Sequence, residues 1–390
     1  MPASTPSDRS DMSKPSNPSI PSGACHHEDF MRQALALAER GRGWVSPNPM
    51  VGALVVQGSQ IAGQGWHKQF GGPHAEVHAL ADAGAKTAGA TLYCTLEPCA
   101  HTGKTPPCVD AIVRAGIKTV VLGARDINPV ASGGAERLRA AGVALVTGVL
   151  EPECRALNAA FFKRVESGRP LVSLKWAMSA DGKLATASGD SQWITGKEAR
   201  AYAHRLRAEH DAVLIGIGTL LKDRARLTCR IERPPGADPL KPPRRVILDS
   251  CARTPLDAPL WASTQGPVTL FCHVSAPAER VAALREKGAV VVSLDGPEGR
   301  PPLTAVLNAL LELGTLSVLV EGGSHVLGAF RDQHLVDRVY AFVGPCLIGG
   351  RGSIPAVGGE GAKVLADALR LGDLQVMKLG ADILLTATVG

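Results

Sequence analysis

Aromatic residues make up only 4% of this 390-residue chain. Proteins that grip single-stranded nucleic acid stack bases on aromatic rings along a basic groove, so this scarcity argues against such a partner. Long apolar runs are also missing. No stretch approaches the roughly 20 consecutive apolar residues that cross a bilayer, and the N-terminus lacks the apolar core of a secretion signal. The expectation is a cytoplasmic protein with no membrane segment. Charge excess is small: 42 Lys and Arg against 36 Asp and Glu leave a net +6, which suits an anionic small molecule without demanding one. Nine cysteines, an odd number scattered along the chain, do not make a disulfide framework, so metal binding becomes the question. No short fixed period recurs, which excludes a solenoid or propeller.

What is present is core-forming. The hydrophobic set reaches 45% with 20% charged residues, and the length suits two domains better than one. Residues 1–24 hold five Pro and seven Ser and little to bury, which predicts a disordered tail. From residue 26 the apolar positions recur at helical spacing up to Gly41. A hairpin follows about Gly58-Ser59, then a helix over 75–83, a strand over 91–96, a helix over 109–115, a strand over 118–123, a helix over 135–141 and a strand over 143–149. The polar segment Glu166-Ser-Gly-Arg-Pro reads as a linker, with the boundary near Gly168. A second series then alternates strands at 171–177, 212–217, 245–249, 268–272, 290–294, 317–320 and 338–343 with helices at 197–209, 277–287, 303–313 and 324–332. The fold class expected is α/β in both halves, residues 25–168 and 169–390.

The strongest chemical signal lies in the first half. His74-Ala-Glu76 is followed by Glu97-Pro-Cys99 and by Cys108. One imidazole and two thiolates are the protein ligands of an open catalytic zinc site, and a glutamate two residues after the histidine is placed to carry protons. His74 and Cys108 fall at predicted helix starts, where the helix dipole favours thiolate. Eight residues separate Cys99 from Cys108, not the two of the short Cys-x-x-Cys form. The bland alternative is a closed structural site with His101 as the fourth ligand. Cys94, on the preceding strand, reads as core.

Three segments of this half, Ser46-Pro-Asn-Pro-Met-Val-Gly52, Gly72-Pro-His-Ala-Glu-Val-His-Ala79 and the long cysteine loop of residues 95–108, resemble the deaminase part of the bifunctional riboflavin-biosynthesis family. In the second half Ser179-Ala-Asp-Gly182, residues 187–195 and Glu321-Gly-Gly-Ser324 resemble its reductase part. The resemblance implies a cytidine-deaminase-like domain followed by a dihydrofolate-reductase-like one. It also implies two reactions: zinc-assisted hydrolytic deamination of 2,5-diamino-6-(5-phosphoribosylamino)pyrimidin-4(3H)-one, then NADPH reduction of the ribosyl chain of 5-amino-6-(5-phosphoribosylamino)uracil to ribityl. Zn²⁺ would sit on His74, Cys99 and Cys108, with Glu76 as the catalytic acid/base. Asn48 would hold the substrate ring, with a turn between prolines as its structural alternative. His67, beside Trp66, reads as a partly buried structural residue that could line the pocket, and His78 as pointing elsewhere. His101 and Lys104 could meet the phosphate or simply be solvated.

For the second half the resemblance carries NADPH contacts onto Ala177, Trp193, Thr219, Asp223, Ser250 and the loop Gly323, Ser324, His325, Val326, Leu327, Gly328 and Ala329. It carries substrate contacts onto Ser191, Arg207, Leu227, Arg230 and Glu321, the arginines being suited to a bidentate grip on phosphate. Read alone, Gly216-Ile-Gly218 is a weak dinucleotide signal, because Leu221 replaces the third glycine and no helix opening is evident. The strand over 317–320 running into Gly322-Gly323 and a helix is a better anion site. Between residues 222 and 245 eight Lys or Arg face three Asp or Glu, a local surplus suited to a phosphorylated ligand. Where the family commonly has Asp-Asp-Pro, this chain has Asp223-Arg-Ala225, which frees the loop backbone, reverses a charge near the expected NADPH edge and implies a less efficient reductase. The family tendency is to homo-oligomerise through the reductase half. Two competing readings are a nucleic-acid deaminase with an accessory domain and a binding module merely braced by zinc.

Overall fold

A computed structural model describes residues 22–103, 106–231 and 241–389. The tail expected over residues 1–24 lies outside them up to residue 21, and its last residues instead open the first helix, α1 (Ser22–Ala38). The reason is local: Pro21 ends the proline run, and a proline bars helix before it, not after it.

In the first half the chain forms β1 (Gly52–Gln57), β2 (Gln60–Trp66), α2 (Ala75–Ala83), β3 (Thr91–Leu96), α3 (Cys108–Arg114), β4 (Thr119–Ala124), α4 (Gly134–Ala140), β5 (Ala144–Val146), α5 (Glu151–Leu157) and α6 (Ala159–Ser167). The sheet order is β2-β1-β3-β4-β5, with β1 antiparallel to both neighbours and β3, β4 and β5 parallel. Successive side chains along a strand face opposite ways. Ala53, Val55, Leu92, Cys94, Val120 and Leu122 therefore meet the helices α2, α3 and α4, whereas Leu54, Val56, Tyr93 and Val121 meet α1, α5 and α6. Both faces are covered, so these strands read as continuous apolar runs. Gly65 lets α2 lie directly on β2: a Cβ there would fall 2.4 Å from the Ala75 carbonyl oxygen. That contact fixes the helix start that carries His74 and Glu76.

Two expectations change here. The strand predicted over 143–149 shortens to β5, and the segment beyond it folds as α5 and α6, which sequence patterning did not reveal. The expected linker is mostly helix as well, since α6 runs to Ser167 and ends at Gly168 in a left-handed conformation.

The second half adds β6 (Leu171–Ser179), β7 (Lys183–Ala185), α7 (Lys197–Glu209), β8 (Ala212–Gly216), α8 (Ile217–Asp223), β9 (Arg244–Leu248), β10 (Val268–His273), α9 (Ala278–Glu286), β11 (Val290–Leu294), α10 (Leu303–Glu312), β12 (Ser317–Val320), α11 (Ser324–Asp332), β13 (Arg338–Gly344), β14 (Ile354–Pro355), β15 (Leu371–Leu379) and β16 (Asp382–Val389). Nine strands pair in the order β11-β10-β9-β8-β12-β6-β13-β16-β15, parallel from β11 to β13 and antiparallel at the last two. The helix absent from the sequence reading after Gly216-Ile-Gly218 is present as α8. Burial of Ile217 and Leu220 against the β8 and β9 side chains outweighs the low helix propensity of Gly218. The closing hairpin β15–β16 was also not anticipated, although Gly380 with positive φ marks its turn.

The halves pack closely. Leu316, at the start of β12, and Leu311 join the cluster of Phe30, Met31 and Phe161. Asp337 receives Lys163 at 2.8 Å and the Arg169 guanidinium at 2.6 and 2.8 Å, tying α6 to the second sheet. Among the described residues no helix is long and apolar enough to cross a membrane.

Candidate active sites

His74 is the N-cap of α2, in extended backbone, and Glu76 lies in the first helical turn. Cys108 opens α3, and Cys99 lies in the loop after β3. The two loops converge. His74 Nδ1 lies 3.3 Å from Cys108 Sγ and 3.5 Å from Cys99 Sγ, and the ligand atoms of all three lie within 4.8 Å of one another. The Cys108 backbone N–H donates to Cys99 Sγ at 3.4 Å, so the helix N-terminus supports that sulfur. Hydrogen bonding from Cys108, with His74 alongside, holds the Cys99 thiol well below its usual range. The same pairing, added to burial, pushes Cys108 up, so one proton leaves the sulfur pair easily and the second needs a cation. The bond to Cys99 raises the His74 imidazole.

Among the described residues this donor cluster has three members, and His101 is not one of them. His101 instead lines the pocket beside it, with its Nδ1 buried and without a hydrogen-bond partner. Lys104 lies outside the described residues. Two sulfurs and one nitrogen with a pocket at the remaining side are the donor set of an open zinc site. Glu76 is 3% exposed. Burial pushes its carboxyl up, with His74 only partly offsetting this, so it holds a proton more readily than a surface glutamate.

The pocket, a cavity of about 230 Å³, brings Asn48, His67, His74, Glu76 and Cys99 to one space. Asn48 is not a bare turn residue. Its Nδ2 donates to His67 Nε2 at 3.1 Å, while His67 Nδ1 donates to the Pro73 carbonyl at 3.0 Å, a pairing that selects the Nδ1–H tautomer. Burial lowers the His67 pKa, consistent with that neutral ring. His67 is 2% exposed and both structural and pocket-lining. Sequence reasoning passed over Asp126 and Asn128, which line the same pocket; burial raises the Asp126 carboxyl to about 6. Their only sequence signal was the turn Asp126-Ile-Asn-Pro129.

In the second half the residues carried over by resemblance gather at the carboxyl ends of neighbouring strands. Ala177 is near the end of β6, Thr219 follows β8, Ser250 follows β9, and the 323–329 segment follows β12. The order β9-β8-β12-β6 sets these ends side by side, where open α/β sheets bind ligands. Gly216 N–H donates to the Gly322 carbonyl at 3.0 Å. Gly323, the N-cap of α11, sits against Thr219: a Cβ on it would lie 3.1 Å from Thr219 Oγ1. Leu227 is buried, with positive φ.

The charged residues behave less simply. Arg207 donates from Nε and Nη2 to Glu321 at 2.7 Å each and from Nη1 to the Thr228 carbonyl at 2.9 Å. Its bidentate fork therefore engages Glu321 in this structure. Lys175, not singled out from the sequence, completes the cluster at 3.8 Å from Glu321. A lysine inside a central parallel strand was the available signal. Burial would raise Glu321, but Arg207 and Lys175 prevail and hold it at about 2. Arg230 is exposed and donates from Nε to His204 Nε2 at 3.2 Å. Trp193 is 70% exposed, with the Arg200 guanidinium 4.4 Å from its ring centroid. Ser191 is half-buried in the loop that carries Trp193, and Asp223 is exposed at the end of α8.

Comparison with known proteins agrees with both halves. Residues 25–124 match the cytidine and deoxycytidylate deaminase zinc-binding region, and residues 170–385 match the RibD C-terminal domain. The riboflavin biosynthesis protein RibD of Actinobacillus pleuropneumoniae is 40% identical over 93% of this chain and 95% of its own length. The structure of Acinetobacter baumannii RibD superposes with a TM-score of 0.83 at 35% identity, covering 95% of this chain and 100% of that one. A Thermotoga maritima diaminohydroxyphosphoribosylaminopyrimidine deaminase/5-amino-6-(5-phosphoribosylamino)uracil reductase superposes with a TM-score of 0.81 at 35% identity, covering 94% and 100%. This chain belongs to the RibD family, the bifunctional zinc-dependent deaminases and NADPH-dependent reductases of riboflavin biosynthesis.

Proposed function

We propose that Glu76 is the proton carrier of the deaminase step, acting on 2,5-diamino-6-(5-phosphoribosylamino)pyrimidin-4(3H)-one. The observation that carries this reading is a carboxylate buried at 3% exposure in the pocket wall, beside a three-ligand cluster that leaves one side open. His74, Cys99 and Cys108 would hold Zn²⁺, which supplies Lewis acidity and lowers the pKa of water. Glu76, its carboxyl already raised, would take a proton from the attacking water and return it to the leaving ammonia. Asn48 would hold the pyrimidine ring, its amide oriented by His67. His101 and Asn128 border the same space, where the substrate's polar groups would lie.

In the other half, 5-amino-6-(5-phosphoribosylamino)uracil is reduced, with NADPH supplying hydride. Thr219, Ser250 and the backbone N–H groups at the start of α11 would hold the cofactor, a helix start being suited to an anionic diphosphate. Ala177, Trp193 and Asp223 would border it. Glu321, kept ionised by Arg207 and Lys175, would orient the ribosyl hydroxyls, and Arg230, an exposed cation, would meet the phosphate, with Ser191 and Leu227 as further substrate contacts. The division falls near Gly168, and both reactions run in the cytoplasm without nucleic acid. A homo-oligomer through the reductase half is favoured by β15, the edge strand of its sheet, which exposes Leu374 and Val376 at 58% and 67%.

X-ray absorption at the zinc edge tests the site. The expected shell is one nitrogen, two sulfurs and one exchangeable oxygen; a fourth protein ligand would favour a brace instead of a catalyst.

A further inference from the structure

The segment that carries Asn48 is held from outside the deaminase sheet. At its start Ser46 Oγ donates to Asp211 Oδ1 at 2.7 Å, and Asp211 precedes β8 of the reductase half. Asp211 is itself anchored. Its Oδ2 accepts from the Leu316 N–H at 2.8 Å and the Ser317 N–H at 3.1 Å, which fixes it to the start of β12. At the other end Asn158, between α5 and α6 and 3% exposed, closes a two-bond clamp on Met50: the Met50 N–H donates to Asn158 Oδ1 and Asn158 Nδ2 donates to the Met50 carbonyl, both at 2.8 Å.

Between these two ties the segment is a partition. One side lines the zinc pocket and the other lines a second cavity of about 520 Å³ between the domains; Asn48 borders both. Packing from behind is therefore thin at this point, and hydrogen bonds set the position of the segment.

We propose that Asp211 is a positioning residue for the deaminase reaction: through Ser46 it holds the Asn48 segment against the substrate pocket, so the reductase domain completes the other domain's binding site. This rests on the reading of Asn48 as a substrate contact. The zinc ligands and Glu76 sit on α2, α3 and the β3 loop, away from the tie. Loosening it weakens substrate binding and spares the chemistry.

The test uses the zinc-loaded full chain and measures ammonia release, NADPH oxidation and zinc content. Ser46→Ala removes one charge-assisted hydrogen bond and is expected to raise the deaminase KM about tenfold, with kcat, zinc content and the reductase reaction unchanged. Ser46→Thr keeps the hydroxyl and restores KM. Asp211→Asn raises KM alone but adds little to Ser46→Ala, because both cut the same tie. Should Asp211→Asn fail to fold, the serine pair still decides. An unchanged KM in Ser46→Ala, or equal loss of both activities, overturns the proposal. Asn48→Ala separates the two levels. If it raises KM while Ser46→Ala does not, only the tie is wrong; if Asn48→Ala leaves KM unchanged, the substrate reading fails and the proposal with it.

Discussion

Each half of this enzyme buries a glutamate, and the two surroundings drive them in opposite directions. Glu76 has burial as its main influence, and its carboxyl is raised. Glu321 keeps its side chain nearly as enclosed, at 6% exposure, but Arg207 grips it with two bonds of 2.7 Å and Lys175 lies beyond, so it is held at about 2. The first is shifted toward its protonated form by burial and has no salt-bridge partner fixing its charge among the described residues. The second is a fixed charge. Burial alone does not assign a role to a carboxylate; the nearest cations decide whether it carries protons or anchors structure.

The sharpest way to separate the halves is to remove the metal. Chelation with dipicolinate is expected to reduce ammonia release below detection while NADPH oxidation on the reduced step's own substrate continues, because all three ligands belong to the first half. Loss of both would mean that the halves are not independent.

Glu321→Gln attacks the other carboxylate. It strands two buried cations, and breaking a buried pair in this way costs about 3–5 kcal/mol, read as a lower urea midpoint with reductase activity lost first. A near-neutral result would show that Glu321 is less coupled than its geometry states.

Acid titration follows. Unfolded Glu321 would titrate near 4.5, and in the fold it is held at about 2. More protons bind the unfolded chain within that window. Its contribution to stability is thus complete above 4.5 and lost as the pH falls toward 2. His210, buried between the Leu206 carbonyl and Ser173 Oγ, is lowered to about 4 by burial from an ordinary 6.5. It too favours the fold above 6.5 and penalises it as pH falls to 4, on the order of 3 kcal/mol. Calorimetry of His210→Gln should show a flatter profile between those values.

The smallest effect is expected at the surface. Trp193→Ala, at a residue 70% exposed, should leave stability within about 0.5 kcal/mol and raise the KM for NADPH a few-fold if the ring borders the cofactor. No change in KM would remove it from the cofactor site.

The two sites also differ in how much of them the sequence discloses. His74, Glu76, Cys99 and Cys108 lie within one short stretch, all but Cys99 at helix starts, so residue type and spacing already assemble the metal centre. The strands at 91–96, 290–294 and 317–320 and the helices at 75–83, 197–209 and 324–332 have the expected bounds. The reductase cleft is different. Ala177, Thr219, Ser250 and Gly323 come together only because the strand order β9-β8-β12-β6 aligns their ends, and no local spacing encodes that order. Resemblance supplied those positions. Patterning missed α8, where glycines hide a helix set by packing, and α5 and α6, whose apolar side is shared between the first sheet and the domain interface. Nor does anything local announce that Arg207, which the resemblance assigns to substrate, bonds Glu321 114 residues away.

The most direct test is ammonia release by Glu76→Gln in a preparation with full zinc occupancy and unchanged NADPH oxidation. The account predicts that deamination falls by about 10²–10⁴-fold, the usual worth of a positioned acid/base. Deamination at the wild-type rate with zinc in place would contradict it.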